Sequence, residues 1–243
     1  TYDLVLLKID GNTNQWSIIN YPTAIQGTNL TNNIVYCSGV DSSGTLWLGS
    51  LYGLMRYDGT NWDLKAYTTG IASSYPIWNL TIRNNGDIGI GSFNFLTYNS
   101  ISDSWSEHLA PNSSNTIIAY SDCRLTSHKD SNIFLFPDNH NLGPIHRITN
   151  GTWTSWNSST GVGSGAVNLP IDPNTSNLIT QEAPNGDLLY NTYSNLLVRF
   201  DGSNWTNDST ITNLGSSFEK IDNSIITQNG DYWIFEQNRF AKY

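Results

Sequence analysis

The side chains able to do chemistry are few and scattered along the chain. His128, His140 and His146 share one stretch with Asp130 and Asp138, and imidazole with carboxylate is a common ligand set for divalent metals. The histidine intervals of 12 and 6 residues match no short-spacing motif, and Asp138-Asn139-His140-Asn141 reads as a solvated loop, so no metal site is expected. Glycoside hydrolysis needs two carboxyls about 5–9.5 Å apart. The glutamates, Glu107, Glu182, Glu219 and Glu236, are widely separated, and nothing in their spacing makes a pair converge. Gly161, Gly163 and Gly165 surround Ser164 with small residues, but the spacing is wrong for a nucleophile elbow and no helix follows. Cys37 and Cys123 are too few and too isolated for a zinc site or a redox pair. They are either two buried thiols or one disulfide, and the sequence leaves both open. No enzyme and no cofactor is expected.

Groups suited to binding are easier to find. Trp78 and Trp156 fall outside the regular tryptophan positions described below, and an aromatic face can stack on a sugar ring. Arg83, Arg124, His128 and Glu182 lie on runs that lead into tight turns, and they are unusual charges in a charge-poor chain. Gathered at one mouth of a channel, such groups would hydrogen-bond a sugar or a partner loop. Trp78, Arg83, Arg124, His128, Trp156 and Glu182 are therefore the expected ligand-binding set. The irregular stretch 155–177, rich in Gly, Ser, Asn and Pro, is the longest loop, and loops on a rigid scaffold often carry binding.

The elements that must position these groups recur. Asp10-Gly11 leads to Trp16, Asp58-Gly59 to Trp62, Asp103 to Trp105, Asn150-Gly151 to Trp153, and Asp201-Gly202 to Trp205, with intervals between the tryptophans of 46, 43, 48 and 52 residues. Within each period a second mark appears: Ser43-Gly44, Asn85-Gly86, Asp130-Ser131, Asn185-Gly186 and Asn229-Gly230, each followed by an apolar run. Asn-Gly and Ser-Gly supply the positive φ that tight hairpins need. Each period thus reads as four antiparallel strands, which at this spacing is a β-propeller blade. The repeated tryptophans are expected to pack between blades, with Trp47 and Trp233 in the core. Asp41, Asp58, Asp87, Asp187, Asp201 and Asp231, beside the Gly turns, are expected to accept backbone N–H bonds there.

The expected fold is all-β: one propeller domain over residues 1–243, with five four-stranded blades. A ring of six or more blades within a larger array is the alternative, because the third-strand pattern of Leu54 to Asp58 recurs at both Leu4 to Asp10 and Arg239 to Tyr243. In the five-bladed ring, Trp16 to Ile19 would supply the outer strand of the last blade and so protect its edge.

Composition agrees. Only 13% of the 243 residues are charged, against the roughly 25% usual in soluble proteins, which leaves little for the exposed faces of long amphipathic helices. With 11 Lys and Arg against 20 Asp and Glu, the net charge of −9 opposes nucleic acid and anionic membrane surfaces. No run of 18 or more apolar residues could span a bilayer. The first residues lack the basic and long apolar regions of a signal peptide. An opening residue other than Met, entering directly into a strand-like run, suggests a mature product or an excised domain.

Residues 41–62, which read Asp41-Ser42-Ser43-Gly44-Thr45-Leu46-Trp47, then Gly49, Gly53-Leu54, Arg56-Tyr57-Asp58-Gly59 and Trp62, resemble the two-component regulator propeller repeat. That family includes extracellular sensor domains of bacterial hybrid two-component systems, where the propeller recognises carbohydrate fragments. The resemblance implies an extracellular binding platform. In plan, though not in motif, the chain is also similar to five-bladed tachylectin-type lectins. The function expected is non-enzymatic recognition of a glycan or a surface protein at the cell surface, outside the cell or in the periplasm. A structural module of a larger surface assembly, filament or adhesin, associating with sister domains, is the second expectation. A glycoside hydrolase is the third.

Overall fold

A computed structural model describes residues 5–9, 12–26, 28–30, 33–65, 76–83, 85–92, 95–108, 123–128, 132–137, 145–156, 180–191, 197–208, 223–227, 229–236 and 239–242. Asp10, Gly11, Asp130, Ser131, Asp138, His140, Glu219 and the stretch after Trp156 lie outside the described residues, as do the side chains of Cys123, Arg124 and Glu236.

Every regular element among the described residues is a β-strand. β1 (Val5–Ile9) and β2 (Trp16–Asn20) form a hairpin, followed by the short pair β3 (Ala24–Ile25) and β4 (Thr28–Asn29). Four antiparallel four-stranded sheets come next. The first holds β5 (Val35–Val40), β6 (Leu46–Ser50), β7 (Gly53–Tyr57) and β8 (Trp62–Lys65), and the second β9 (Asn79–Ile82), β10 (Asp87–Gly91), β11 (Phe95–Asn99) and β12 (Ser104–His108). The third holds β13 (Cys123–His128), β14 (Asn132–Pro137), β15 (Ile145–Thr149) and β16 (Thr152–Trp156), and the fourth β17 (Thr180–Glu182), β18 (Leu188–Asn191), β19 (Leu197–Phe200) and β20 (Trp205–Asp208). A three-stranded sheet closes the described chain: β21 (Asn223–Ile226), β22 (Tyr232–Glu236) and β23 (Arg239–Lys242). Within each sheet consecutive strands are neighbours, and the first strands of successive sheets lie side by side. This is the blade stacking of a β-propeller.

The expected closure is corrected at one point. Trp16 to Ile19 do not complete the last sheet: β2 pairs with β1 in the register Leu7↔Ile18 and Ile9↔Trp16. The β1–β2 hairpin has the strand and turn pattern of a third and fourth blade strand. Sequence-local hairpins form without closing a long loop, whereas pairing β2 with β23 would bring opposite ends of the chain together.

Strand alternation gives each sheet two faces. One, here the leading face, meets the preceding unit; the other, the trailing face, meets the next. The trailing face of β5–β8 sends Trp47 and Leu54 against Ile82, Ile88, Ile90, Leu96, Tyr98 and Trp105 on the leading face of β9–β12. Phe95 on the trailing face of that sheet then meets Leu125, Ile133, Leu135, Ile148 and Trp153. Phe134, Ile145 and Trp156 in turn meet Leu188, Val198, Phe200 and Trp205. The core is thus a series of layers between blades. As expected, Trp62, Trp105, Trp153 and Trp205 pack in these layers, while Trp16 does not.

Candidate functional site

The turns that lead into the second strands share one geometry. In each, a backbone N–H from the last glycine donates to the carbonyl three residues earlier: Gly44 to Asp41, Gly86 to Arg83, Gly186 to Ala183 and Gly230 to Thr227, at 2.7–3.1 Å. Gly44, Gly86, Gly186 and Gly230 hold φ between 81° and 88°, the left-handed region that costs glycine nothing. Asp41, Asp58 and Asp201 accept backbone N–H bonds within these and the later Asp-Gly turns, as their positions suggested. Asp87, Asp187 and Asp231 differ. Each binds the amide of the preceding Asn and a cation, Arg83 at 3.2 Å, Arg199 at 3.5 Å and Lys242 at 2.7 Å respectively.

In the second sheet this turn brings Arg83 and Asp87 to the trailing face, in line with Asn99 and Ser104 across the strands. The next rows on that face are Thr81, Gly89, Thr97 and Ser106, then Gly91, Phe95 and His108. Phe95 meets the third sheet, and a Cβ on Gly89 would come within 2.8 Å of Ile133 Cδ1, so the sheets touch there. Elsewhere they diverge and leave a cleft of about 320 Å³. Arg83, Asp87, Thr97, Asn99, Ser106 and His108 form its polar wall, with Ile133 and Ile148 opposite and the Asn150-Gly151 turn at its rim.

The polar wall is pre-organised. Asn99 Nδ2 donates to Asp87 Oδ1 at 2.7 Å, Ser102 Oγ donates to Asn99 Oδ1 at 3.0 Å, and Thr97 Oγ1 and His108 Nε2 are 2.9 Å apart. Burial, helped by the charge of Arg83, pulls the His108 pKa below the ordinary imidazole value, so the ring is neutral at pH 7. The wall therefore presents hydroxyls, an amide and a neutral imidazole, groups that donate and accept in small displacements. Among the described residues, Asp87 is the carboxylate that lines the cleft.

The expected ligand-binding residues do not converge. Arg83 lines the cleft. Trp78 is half-buried just before β9, and Glu182 is exposed on β17. Arg124 belongs to β13, with its side chain outside the described residues. Two expectations are corrected. Trp156 is only 2% exposed, stacked on Phe134 with ring centroids 5.8 Å apart in the layer beneath Phe200 and Trp205. His128 is fully buried, its Nε2 2.7 Å from the Gly186 carbonyl, and it packs against Phe134 and Phe200. Both sit on inward positions of alternating strands, where apolar neighbours claim them. His146 is buried on the opposite face of the same sheet, with Nδ1 2.8 Å from Ser155 Oγ, so His128 and His146 share no site. Among the described residues no three His, Cys, Asp or Glu side chains gather to hold a metal. Cys37 is a free thiol.

Sequence reasoning missed Thr97, Asn99, Ser106 and His108. The signal was the alternation Ser104-x-Ser106-x-His108 on a strand whose other face carries Trp105. It becomes informative only once that polar face is known to look toward the next sheet.

No protein-family model matches the sequence, and no curated protein is similar to it in sequence. Solved structures do share its fold. A virginiamycin B lyase from Staphylococcus aureus superposes with a TM-score of 0.65 at 15% identity, over 98% of this chain and 76% of the lyase. The extracellular domain of BT4673 from B. thetaiotaomicron, described as a one component system, gives 0.54 at 20% identity over 84% of this chain. That of BT3049, described as a hybrid two component system from the same organism, gives 0.56 at 15% over 90%. This chain spans about a quarter of each, 25% and 28%. At these identities the likeness establishes the propeller fold, and no helix among the described residues is long and apolar enough to cross a membrane.

Proposed function

We propose that residues 1–243 form a non-enzymatic recognition propeller, displayed outside the cell or on its surface, whose ligand is a short glycan held in the cleft between β9–β12 and β13–β16. The observation that carries this reading is the composition of the cleft. A sugar offers adjacent hydroxyls that both donate and accept, together with apolar C–H faces. The Arg83, Asp87 and Asn99 group, with Thr97, Ser106 and His108, matches the first; Ile133 and Ile148, 0% and 3% exposed, form only a buried apolar floor beneath it. The volume falls at the lower end of small-ligand pockets, about 300–1,000 Å³, which suits one or two sugar rings. Among the described residues the cleft holds one carboxylate, engaged by Arg83 and Asn99, which supports binding rather than hydrolysis, a reaction that requires two. The extracellular sensor domains that share the fold are in keeping with this placement.

The test is a glycan array and a protein-partner screen, followed by calorimetric titration of any hit. Asn99→Ala and Ser106→Trp, which strip and fill the cleft, are expected to weaken glycan binding at least tenfold while the thermal transition stays within a few degrees. Failure of the folded domain to bind any glycan, or binding indifferent to both substitutions, would overturn the reading.

A further inference from the structure

The chain holds four Asn-Gly pairs, beginning at Asn85, Asn150, Asn185 and Asn229. In such a pair the backbone nitrogen of the glycine can attack the carboxamide of the asparagine before it. Glycine has no Cβ to crowd the five-membered ring that forms. All four asparagines are exposed, so access to water does not choose among them.

Three of the four are clasped. Asn85 Nδ2 donates to Asp87 Oδ2 at 2.9 Å, and Asn85 Oδ1 accepts the Asp87 backbone N–H at 3.0 Å. Asn185 and Asp187 repeat both bonds at 2.8 and 3.1 Å. Asn229 Nδ2 donates to Asp231 Oδ2 at 3.1 Å, and its Oδ1 accepts from Thr227 Oγ1. The nitrogen that would attack is engaged as well: the N–H groups of Gly86, Gly186 and Gly230 donate to the carbonyls of Arg83, Ala183 and Thr227 at 3.1, 2.7 and 2.9 Å. The aspartate of each clasp also opposes ionisation of that N–H, and the ionised amide is the attacking form.

Asn150 and Gly151 are placed differently. They are the two central residues of the turn between β15 and β16, where Thr149 pairs with Thr152. Their φ values of 48° and 80° are both left-handed, as in a type I′ turn, which leaves the Gly151 N–H outside the ladder. Among the described residues no hydrogen bond holds the Asn150 carboxamide or the Gly151 N–H. Thr152 stands where the other three pairs are followed by Asp, and a Cβ on Gly151 would meet nothing within 4 Å.

We infer that Asn150 is a site of spontaneous deamidation in the folded protein, while the clasps protect Asn85, Asn185 and Asn229. Gly151 N gives its proton to hydroxide and bonds to Asn150 Cγ. The Cγ–Nδ2 bond breaks, and that nitrogen leaves as ammonia. Water then opens the cyclic imide. Attack at Cγ leaves aspartate; attack at the main-chain carbonyl leaves isoaspartate, which routes the chain through the former side chain and lengthens it by one methylene. Either product adds a carboxylate at the rim of the cleft and one more negative charge to the −9 of the chain.

The full 243-residue chain is incubated in warm, mildly alkaline buffer, folded in one arm and in urea in the other, then digested at acidic pH to halt the reaction. Peptide mass spectrometry follows amide-to-acid conversion at each of the four sites, and chromatography resolves aspartate from isoaspartate. In the folded arm Asn150 is expected to convert about tenfold faster or more than the other three, because two or three hydrogen bonds must break before ring closure at those sites. In urea the four rates should converge. Asp187→Ala, which removes the carboxylate of one clasp, is expected to speed conversion at Asn185 severalfold and leave Asn150 unchanged. Equal rates in the folded protein, or a faster site among the other three, overturn the proposal. So does a preference for Asn150 that persists undiminished in urea, which would belong to the local sequence, and so does an Asn185 rate that Asp187→Ala leaves unmoved.

Discussion

The indole N–H of Trp47 donates to Asp41 Oδ2 at 2.8 Å, while Asp41 Oδ1 accepts the backbone N–H of Ser43 and of Thr45 at 2.9 and 3.0 Å. One carboxylate therefore shapes the first Gly turn and sets the rotamer of a tryptophan that is almost fully buried between two sheets. Removing it leaves the indole N–H without that acceptor and frees the turn. Asp41→Ala is expected to destabilise the fold by about 2–3 kcal/mol, as for other hydrogen bonds to a charged group. Asp41→Asn should cost less, because a carboxamide oxygen still accepts. Equilibrium denaturation of both variants checks the order.

Acid should weaken the protein in two stages. Burial disfavours the charged form of His146 and pulls its pKa down to about 4, while an unfolded imidazole titrates near 6.5. The unfolded chain then binds the extra proton first, so stability falls as pH drops from about 6.5 to 4. His146→Phe is expected to flatten that limb. Asp41 acts lower. Partial burial opposes its ionisation, but the hydrogen bonds from Ser43, Thr45 and Trp47 outweigh burial and hold the carboxyl below its usual range. Its contribution is complete above the unfolded carboxylate pKa of about 3.9 and is lost as pH falls below it. Denaturant midpoints across this range should show both limbs, the second shallower in Asp41→Asn but not abolished, because Asp58, Asp103 and Asp231 are also held below the usual carboxyl range.

Two glycines allow neighbouring sheets to approach, with unequal tolerance. A Cβ on Gly49 would lie 2.3 Å from Cys37 Sγ and 2.8 Å from the Ile77 carbonyl, so backbone must move. On Gly89 the near atoms are Ile133 Cδ1 at 2.8 Å and Thr81 Cγ2 at 2.9 Å, both at side-chain tips. Overpacking costs about 1–3 kcal/mol. Gly49→Ala is expected at or beyond the upper end and Gly89→Ala at the lower, as read by thermal unfolding.

The Cys37 thiol is pushed up to about 12 by burial, which a hydrogen bond from the Gly49 backbone only partly offsets. Thiolate is the reactive form. Labelling by a thiol reagent at pH 8 is expected to be at least tenfold slower at Cys37 in the folded protein than in denaturant, followed by mass spectrometry of the Cys37 peptide.

The repeat was legible because its signals are local. Gly44, Gly86, Gly186 and Gly230 mark turns whatever surrounds them, since positive φ is a property of the residue itself. The cleft was legible only at Arg83. Thr97, Asn99 and His108 gain meaning from facing the next sheet, and a two-residue period cannot say which side that is. Trp156 and His128 looked like ligand groups because their residue types can bind, yet Trp156 lies against Ile145 and Phe134, and His128 packs on Phe134 and Phe200.

The amino-acid pattern by itself determined the strands, their turns, the stacking period and the acidic, charge-poor surface, all of which follow from backbone preferences and composition over a few residues. Only the tertiary structure decided which face of each sheet is buried, that β2 joins β1 rather than the last sheet, and that Leu7, Trp16, Ile18 and Phe240 remain open to solvent. Those outcomes depend on contacts between residues far apart in the chain. Their balance of loop entropy against buried apolar area is set by the assembled geometry, not by any one segment.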